Sequence, residues 1–198
     1  MCSIIGFTSR ELTAQSVREY FDRTVSRGPD ATRMAELDGA VLGFHRLSIM
    51  GLDERGMQPF YLGGDAVVCN GELYGFRQLR KELSAKYSFK SESDCEIILP
   101  LYREYGAAMF GMLDAEFAMI LYDAREKKII AARDPIGIRP LFYGYTARGE
   151  IIFASEAKNL VPICDKVMPF PPGHYYDGEK FVSYRQIERV DAVCYDDL

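Results

Sequence analysis

Cys2 is the residue with the clearest potential for covalent chemistry, because removal of Met1 would make it the first residue of the chain. It would then carry both a thiol and a free α-amine. The reference pKa of an α-amine is about 7.7–8.0, so part of it is neutral near pH 7 and can take the proton of the adjoining thiol. This arrangement is typical of an N-terminal nucleophile. A lone cysteine is more often a small apolar residue, so Cys2 alone does not decide between the two interpretations.

The chain contains two histidines, His45 and His174, and neither stands in a recognisable signature for a Cys–His pair. His45 lies inside an apolar run, and His174 follows a Pro-Pro-Gly turn. We interpret both as structural residues. The scarcity of histidine favours the α-amine of Cys2 as the base that would activate the thiol.

Three further polar positions could bind a small amide substrate. Asn70-Gly71-Glu72 ends an apolar strand, and an asparagine amide with a backbone N–H can stabilise an oxyanion during acyl transfer. Arg46 lies in an apolar segment and suits a substrate carboxylate. Asp94 lies at a predicted helix start and suits a substrate ammonium group. Each also has a structural interpretation: a turn for Asn70-Gly71, an ion pair for Arg46, and a favourable charge at a helix N-terminus for Asp94.

Apolar periodicity predicts three helices that would surround these residues. The first covers roughly 12–25 and ends at Arg27-Gly28-Pro29-Asp30, and the second runs from Phe76 to about residue 87. The third begins at Ser93, where Ser93 and Glu96 have the spacing of a capping box. Pro100 falls inside this third helix, so we expect a kink or an early end there.

Short apolar runs predict the strands. Residues 3–8 form a buried strand directly after Cys2, and 40–44, 47–50 and 65–69 follow. From residue 115 onward, paired β-like runs predict hairpins, with Asp177-Gly178 as a two-residue turn. Hairpins combined with helices indicate an α+β fold in one domain, with antiparallel sheets and helices packed over them.

Composition narrows the class of protein. The 198 residues include 48% hydrophobic and 27% charged residues, which is the balance of an ordinary globular protein. A net charge of -5 argues against nucleic acid as a partner. The five cysteines are odd in number and form no CxxC pair, which predicts reduced thiols and a cytoplasmic location. No apolar run approaches the roughly 20 residues that span a bilayer, so we expect no membrane partner.

Taken in order along the chain, these pieces resemble the class II glutamine amidotransferases, and specifically the glutaminase domain of asparagine synthetases. The likeness covers about residues 2 to 185, and RLSI, NGELY and SDCEI favour the asparagine synthetase branch. The Arg133–Leu141 stretch also resembles the phosphoribosyl amidotransferases. The matching segments are Met1-Cys2-Ser3-Ile4, Arg27-Gly28-Pro29-Asp30, Arg46-Leu47-Ser48-Ile49, Asn70-Gly71-Glu72-Leu73-Tyr74, Ser93-Asp94-Cys95-Glu96, Arg133–Leu141, Ala154–Lys158 and Pro171–Tyr175.

The resemblance implies a role for each site residue. Cys2 would attack the side-chain amide of glutamine to form a γ-glutamyl thioester, with the Asn70 amide and the Gly71 N–H as the oxyanion hole. Arg46 would bind the α-carboxylate of glutamine, and Glu72 and Asp94 its α-ammonium group. Backbone groups of three more residues would line the pocket: Leu47, Ile49 and Met50. The Arg133-Asp134 segment we interpret as structural, a charged pair with a tight turn.

The resemblance also implies a fold and a domain organisation. The fold is the four-layer αββα sandwich of N-terminal nucleophile hydrolases, with the glutaminase domain at residues 2–186 and the start of a linker at 187–198. No Ser-Gly-Gly phosphate loop is present, so we expect an N-terminal piece of a longer enzyme. Ammonia would pass to an ATP-dependent synthetase domain, which alone would need ATP and Mg²⁺. The glutaminase domain itself would need no metal or cofactor.

Several alternatives stay open at this stage. The chain could be a non-catalytic glutamine-binding or regulatory domain of the same fold, or the glutaminase of another class II amidotransferase, and a homodimer is compatible with either. It also departs from the family at Ser26, Gly51, Gly75 and Pro100. None of these departures removes a residue assigned to the chemistry.

Overall fold

The computed structural model describes residues 1–50 and 52–185, and within them twelve strands form two six-stranded sheets. All strand pairings in both sheets are antiparallel. The strands are β1 Ser3–Thr8, β2 Ala31–Glu36, β3 Ala40–Arg46, β4 Phe60–Leu62, β5 Asp65–Leu73, β6 Ala115–Asp123, β7 Lys128–Arg133, β8 Phe142–Tyr145, β9 Ile151–Ala154, β10 Lys166–Pro169, β11 His174–Tyr176 and β12 Phe181–Ser183.

Helices are short and lie on the outer faces of the sheets. The described residues form five α-helices: α1 Ala14–Asp22, α2 Phe76–Leu83, α3 Ile98–Tyr105, α4 Met109–Met112 and α5 Ala157–Leu160. Four 3-10 turns accompany them, at Val25–Arg27, Glu54–Gly56, Asp94–Ile97 and Gly106–Ala108. In the described part of the chain, no helix has the length and apolar content that crossing a membrane requires.

The first sheet has the order β10-β8-β9-β1-β3-β2, and the second has the order β12-β11-β7-β6-β5-β4. β1 therefore lies inside the first sheet, with β3 on one side and β9 on the other. β5 is next to the edge of the second sheet, and its outer neighbour β4 covers only part of its length. The candidate site residues lie at two places in these sheets. One is the start of β1, and the other is the part of β5 that continues beyond its pairing with β4.

Three apolar clusters show that the chain forms four layers. Residues of α1 and α5 pack on the outer face of the first sheet, and residues of α2, α3 and α4 pack on the outer face of the second. A third cluster joins the inner faces of the two sheets. This arrangement confirms the predicted α+β class and the αββα sandwich with two antiparallel sheets between helical layers.

Side-chain alternation along the strands produces these layers. In β1, Ile4 belongs to the cluster between the sheets, and Ile5 belongs to the cluster under α1 and α5. In β5, Val68 faces the other sheet, and Val67 faces the helices. Full burial of each such side chain contributes about 1.5–3 kcal/mol to folding. The strands that carry the site are therefore held on both faces.

Two predicted helix features are wrong in detail. The Ser93 side chain caps no backbone N–H, and the Glu96 carboxylate instead accepts hydrogen bonds from Lys90 and Ser91. The segment also begins as a 3-10 turn, so α3 starts only at Ile98 and Pro100 falls in its first turn. A proline is tolerated there because the first N–H groups of a helix have no intrahelical acceptor.

Two predicted β features also differ. Residues 47–50 form bends rather than a strand, and the hairpin at Asp177-Gly178 has a four-residue loop, since Tyr176 pairs with Phe181. Asp177 closes this loop through its carboxylate, which accepts the N–H groups of Glu179 and Lys180. The predicted boundary at residue 186, the linker at 187–198 and Gly51 lie outside the described residues.

Candidate active site

Cys2 directly precedes the interior strand β1, whose first residues are held by hydrogen bonds to two neighbouring segments. The N–H of Ile4 donates to Ser155 Oγ at 2.9 Å, and Ser3 Oγ donates to Thr24 Oγ1 at 2.8 Å. Both serines and Thr24 are buried. The first residues of the chain are thus part of the folded core rather than a loose terminus.

The thiol of Cys2 contacts the backbone of Leu47, just beyond the end of β3. The Leu47 N–H donates to Cys2 Sγ at 3.3 Å, and the thiol lies 3.7 Å from the Leu47 carbonyl oxygen. A backbone N–H directed at sulfur favours the thiolate over the thiol. Leu47 was predicted as a backbone contact in the pocket, and its N–H reaches the sulfur itself.

Burial raises the pKa of the Cys2 thiol above its ordinary value of 9.0. The Leu47 N–H, the positive N-terminus and Arg46 oppose this shift without cancelling it. Near neutral pH the sulfur is therefore protonated in the resting site. A nucleophile in this environment needs a base beside it, as an α-amine on Cys2 itself would provide.

Asn70 and Gly71 lie in the far half of β5 and line the same cavity as Cys2. Asn70 is only 2% exposed, and its Nδ2 is fully buried without a hydrogen-bond partner among the described residues. A buried amide N–H₂ that makes no hydrogen bond costs roughly 1–3 kcal/mol. Such a donor next to a nucleophilic sulfur has the chemistry of an oxyanion hole.

Gly71 is required by close packing rather than by a special backbone angle. A Cβ at this position would lie 2.6 Å from the carbonyl oxygen of Glu116 and 2.8 Å from the Cβ of Phe117, both on β6. Any side chain here would push β5 away from β6. The glycine therefore keeps the neighbouring Asn70 at its place in the sheet.

Arg46, the last residue of β3, provides the positive charge of the cavity. Its side chain is 6% exposed, and its Nη1 donates to the carbonyl oxygen of Asp53 at 2.9 Å. A guanidinium held in this way can offer further N–H groups to a carboxylate in a fixed plane. Arg46 lines the cavity that contains Cys2, and its role in binding an α-carboxylate stays a prediction.

Asp94 and Glu72 provide negative charge in the same cavity. Asp94 is 5% exposed, and its Oδ2 accepts the Leu73 N–H at 2.8 Å, which leaves Oδ1 for a ligand. Glu72 is exposed and lies directly across the sheet from Glu116. Arg139 forms a 2.6 Å ion pair with Glu116, which offsets the repulsion between the two facing carboxylates.

The structure brings all of the predicted site residues to one cavity of about 140 Å³. Ile49 is 74% exposed and stands at the rim, and Met50 is partly buried against the helical core of the second sheet. Met1 also lines the cavity, so its removal would expose the Cys2 amine to the same space. The residues that line the cavity and were predicted are Cys2, Arg46, Leu47, Ile49, Met50, Asn70, Gly71, Glu72 and Asp94.

The histidines lie elsewhere, which agrees with their structural interpretation. His45 is fully buried, stacks on the Phe21 ring at 3.8 Å and contacts Thr32 Oγ1 at 2.7 Å. Burial lowers the pKa of His45. His174 contacts the carbonyl oxygen of Pro172. Neither lines the cavity that contains Cys2.

Arg27 has a role that the sequence did not reveal. Its Nε donates to the carbonyl oxygen of Cys2 at 3.1 Å, and its Nη1 pairs with Glu156 Oε1 at 3.0 Å. This ion pair is mostly buried and helps to lower the pKa of the Glu156 carboxyl group. Arg27 therefore joins the nucleophile's backbone to the segment after β9.

Gly28 and Asp30 hold the end of β3. A Cβ on Gly28 would lie 2.3 Å from the carbonyl oxygen of His45, so only glycine allows this approach. The Asp30 N–H donates to the Arg46 carbonyl oxygen at 3.0 Å, and the Asp30 carboxylate accepts the Ser48 N–H at 2.7 Å. The segment 27–30 thus positions Cys2, Arg46 and the turn that contains Leu47.

Among the lining residues that were not predicted, Gln58 and Arg139 are the two with long polar side chains. Gln58 is 5% exposed and hydrogen-bonds the backbone of Cys69, and Arg139 lines the cavity with a buried Nε that has no partner among the described residues. No local sequence pattern identifies Gln58, because its hydrogen-bond partner Cys69 lies on the strand β5. Arg139 belongs to the segment that we interpreted as structural.

The Arg133-Asp134 segment is structural, but the two side chains do not pair with each other in the described residues. Arg133 instead donates to three backbone carbonyl oxygens, of Gly137, Arg139 and Phe170. The Asp134 carboxylate accepts five backbone N–H groups, of Phe117, Ile136, Gly137, Ile138 and Arg139. Gly137 has φ +77°, which permits the tight turn.

Comparison with proteins of known sequence places the chain in a family. Residues 1–179 match a family described as glutamine amidotransferase domain. A probable glutamine-hydrolysing asparagine synthetase of Schizosaccharomyces pombe is 47% identical over 157 residues, which are 77% of this chain and 28% of that protein. Asparagine synthetase B of Escherichia coli K12 is 38% identical over 188 residues, 90% of this chain and 34% of that protein. The chain spans about a third of the length of these relatives.

Solved structures agree on the fold. The B. subtilis glutamine phosphoribosylpyrophosphate amidotransferase complexed with ADP and GMP has a TM-score of 0.76 and 20% identity, over 93% of this chain and 49% of that one. A second structure, titled as the allosteric regulatory enzyme of purine biosynthesis, has a TM-score of 0.78, 20% identity and the same coverage. At this identity the likeness concerns the fold alone. Together with the matched family profile, the fold and the cavity establish that the chain belongs to the glutamine amidotransferase domain family.

Proposed function

We propose that this chain hydrolyses glutamine to glutamate and ammonia through a thioester on Cys2. The observation that supports the proposal most strongly is the buried Asn70 Nδ2, which has no partner among the described residues and lines one cavity with Cys2. A folded core does not retain an unused buried donor without cost. An oxyanion formed next to Cys2 would give that donor its acceptor.

The chemistry proceeds in two halves. The neutral α-amine of Cys2 takes the thiol proton, and Sγ attacks the side-chain carbonyl carbon of glutamine. The Asn70 amide and the Gly71 N–H stabilise the tetrahedral oxyanion. When it collapses, the bond from carbon to the amide nitrogen breaks, and the α-ammonium returns its proton to the leaving ammonia. Water then attacks the thioester, releases glutamate and restores the thiol.

Charge orients the substrate in the cavity. Arg46 would bind the α-carboxylate of glutamine, and Asp94 with Glu72 would bind its α-ammonium group. The opposite charges of these residues match the zwitterionic end of the substrate. The backbone groups of Leu47, Ile49 and Met50 would complete the wall. A neutral amide without an α-amino acid group would lack both anchors.

We further propose that the domain covers residues 2–186 and passes ammonia to an ATP-dependent synthetase domain, as in asparagine synthesis. The support is the series of relatives named asparagine synthetase, of which this chain matches about a third. ATP and Mg²⁺ would act in that second domain only. The described cysteines are all free thiols, which supports a reducing compartment such as the cytoplasm.

The test combines an intact-mass measurement of the N-terminus with a glutamine analogue that carries a diazoketone in place of the amide. Protein without Met1 should release ammonia from glutamine and gain one covalent adduct on Cys2. Cys2→Ala should do neither. Cys164→Ala is the matched control, because this half-buried thiol packs beneath α1 and α5 and should leave labelling unchanged. Glutamine binding without turnover in Met1-free protein would favour the non-catalytic alternative.

A further inference from the structure

Gln58 makes an unusual pair of hydrogen bonds beside the active site. Its side chain is 5% exposed, its Oε1 accepts the Cys69 N–H at 2.6 Å, and its Nε2 donates to the Cys69 carbonyl oxygen at 3.1 Å. In an antiparallel sheet, the N–H and carbonyl groups of Cys69 would pair with a residue on the neighbouring strand. Here the side-chain amide of Gln58 makes both of these hydrogen bonds. Gln58 lines the cavity that contains Cys2.

The pair is needed because β4 is shorter than β5. β4 ends its pairing where Phe60 meets Val67, but β5 continues to Leu73 with β6 on its other side throughout. From residue 68 onward, β5 therefore has an open edge on the side of the cavity. Backbone groups on an open edge need other partners.

The partners on this edge follow a regular order. Successive odd residues of β5 direct their N–H groups to the same side, as alternation in an antiparallel sheet requires. The Cys69 N–H is taken by Gln58, and the Leu73 N–H is taken by the Asp94 carboxylate. Gly71 lies between them. Neither the Gln58 nor the Asp94 side chain accepts the Gly71 N–H among the described residues. This N–H is therefore available to a group in the cavity.

Gln58 therefore controls both members of the proposed oxyanion hole. Asn70 directly follows the residue that Gln58 holds, and Gly71 is the next one along. A rotation of the strand at Cys69 would move the Asn70 amide and the Gly71 N–H together. Oxyanion donors must lie 2.7–3.1 Å from the developing charge, so a small rotation is enough to reduce the rate.

We propose that Gln58 is a positioning residue for the oxyanion hole, a side-chain substitute for the missing length of β4. This inference rests on the proposed glutaminase function. It assigns Gln58 an effect on the transition state and not on substrate binding, because Arg46 and Asp94 are held by other contacts. A purely structural Gln58 would affect stability and leave the rate per folded molecule unchanged.

The first test is Gln58→Met, which keeps the shape of the side chain but can neither donate nor accept strongly. We expect kcat to fall about tenfold or more, less than the roughly 10²–10³ that follows loss of an oxyanion donor. The KM for glutamine should differ from that of the wild type by less than about threefold. A tenfold change in KM would correspond to 1.4 kcal/mol. Gln78→Met, at an exposed glutamine that bonds only Glu82, is the matched control.

The second test uses pH. In Gln58→Glu the protonated carboxyl group can accept the Cys69 N–H and donate to the Cys69 carbonyl, but the ionised group cannot donate. Burial raises the pKa of a carboxyl group, so a larger fraction of it is protonated at a given pH. This fraction increases further as the pH is lowered. The ratio of the variant's kcat to that of the wild type should therefore rise as the pH falls. This readout also serves if Gln58→Met does not fold.

The outcomes separate the two claims. A wild-type protein that releases no ammonia and takes no label at Cys2 contradicts the proposed function, whatever Gln58 does. An active wild type with a folded Gln58→Met of unchanged kcat overturns the positioning role. A loss confined to KM overturns it as well, as does a folded Gln58→Glu that keeps the wild-type kcat at a pH where its new carboxyl group is ionised.

Discussion

Two buried carboxylates, Asp94 and Asp134, differ in how fully the protein's own backbone uses their oxygens. Asp134 is 1% exposed, and its two oxygens accept five backbone N–H groups. Asp94 is 5% exposed but accepts one backbone N–H, on Oδ2. The first carboxylate is saturated by its own loop. The second keeps one oxygen for something in the cavity.

The same contrast applies to the side-chain amide nitrogens of two buried asparagines, although the Asn159 Oδ1 has no partner among the described residues. The Asn159 Nδ2 donates to the carbonyl oxygens of Tyr20 and Phe21 and to Thr24 Oγ1. The Asn70 Nδ2 has no partner among the described residues. Burial alone therefore does not identify the active site. A buried polar atom with unused hydrogen-bonding capacity, next to a nucleophile, does.

The largest effect should follow Asn70→Ala, which removes the unused donor. We expect kcat for glutamine to fall about 10²–10³-fold, as when an oxyanion donor is lost. The free energy of unfolding should change by less than about 1 kcal/mol, because no hydrogen bond of Nδ2 is broken. Steady-state ammonia release and denaturant unfolding measure the two quantities.

Asn159→Ala is the matched control for Asn70→Ala. It should lower the free energy of unfolding by about 1–3 kcal/mol, since it removes the three hydrogen bonds that the Asn159 Nδ2 donates to Tyr20, Phe21 and Thr24. Its kcat per folded molecule should match that of the wild type. If both asparagine variants lost stability equally and neither lost rate, the distinction between saturated and unused groups would fail.

Asp134→Asn tests the saturated carboxylate. An amide keeps one acceptor oxygen where the carboxylate offers two, so several of the five N–H groups, four in the loop and one on β6, lose a charged partner. Hydrogen bonds to charged groups contribute about 1.5–3 kcal/mol each, so we expect a loss of about 3 kcal/mol in the free energy of unfolding. Calorimetry should show a lower Tm, with the KM for glutamine unchanged in the folded fraction.

Asp94→Asn tests the unsaturated carboxylate. The new amide oxygen can still accept the Leu73 N–H, so the free energy of unfolding should change by less than about 1 kcal/mol. Loss of the charge beside the α-ammonium group of glutamine should raise KM about tenfold, which corresponds to 1.4 kcal/mol. A destabilised Asp94→Asn with an unchanged KM would mean that Asp94 is structural, like Asp134.

The smallest effect concerns the pH dependence of stability at Cys2. Burial raises the pKa of its thiol in the folded state, so the folded protein holds this proton more tightly than the unfolded chain. The stabilisation is complete below the ordinary value of 9.0 and is lost as the pH rises through the folded pKa. Relative to Cys2→Ala, the wild type should lose stability as the pH rises above 9, which denaturant unfolding at a series of pH values measures.

Much of the fold and part of the candidate site could be predicted from the sequence, because these features depend on local patterns of residues. The two β-like runs at 115–123 and 127–134, on either side of a turn, predict the β6–β7 hairpin, and the apolar run after Cys2 predicts β1. Arg46 and Asp94, predicted to bind the two charged groups of a zwitterionic substrate, line the same cavity. Residues 47–50 escaped prediction because their apolar character mimics a strand. Their N–H groups instead serve Cys2 Sγ at Leu47 and the Asp30 carboxylate at Ser48.

Other features depend on partners that are distant in the chain. The β4–β5 hairpin turns at Gly63-Gly64, both with positive φ, and its short length leaves the open edge of β5. Arg139 contributes to the cavity wall because its loop is held by hydrogen bonds from backbone N–H groups to the Asp134 carboxylate. The missed residues thus act through tertiary contacts, which no periodicity records.

The central claim is that Cys2 is the nucleophile, and acid quenching during turnover tests it most directly. Met1-free protein mixed with glutamine and quenched in acid should carry one γ-glutamyl group, which peptide mapping assigns to Cys2. Asn70→Ala should accumulate it more slowly, because the oxyanion that precedes the thioester is less stable. An adduct on Cys69, Cys95 or Cys164, or ammonia release without any adduct on Cys2 at any quench time, would contradict the account.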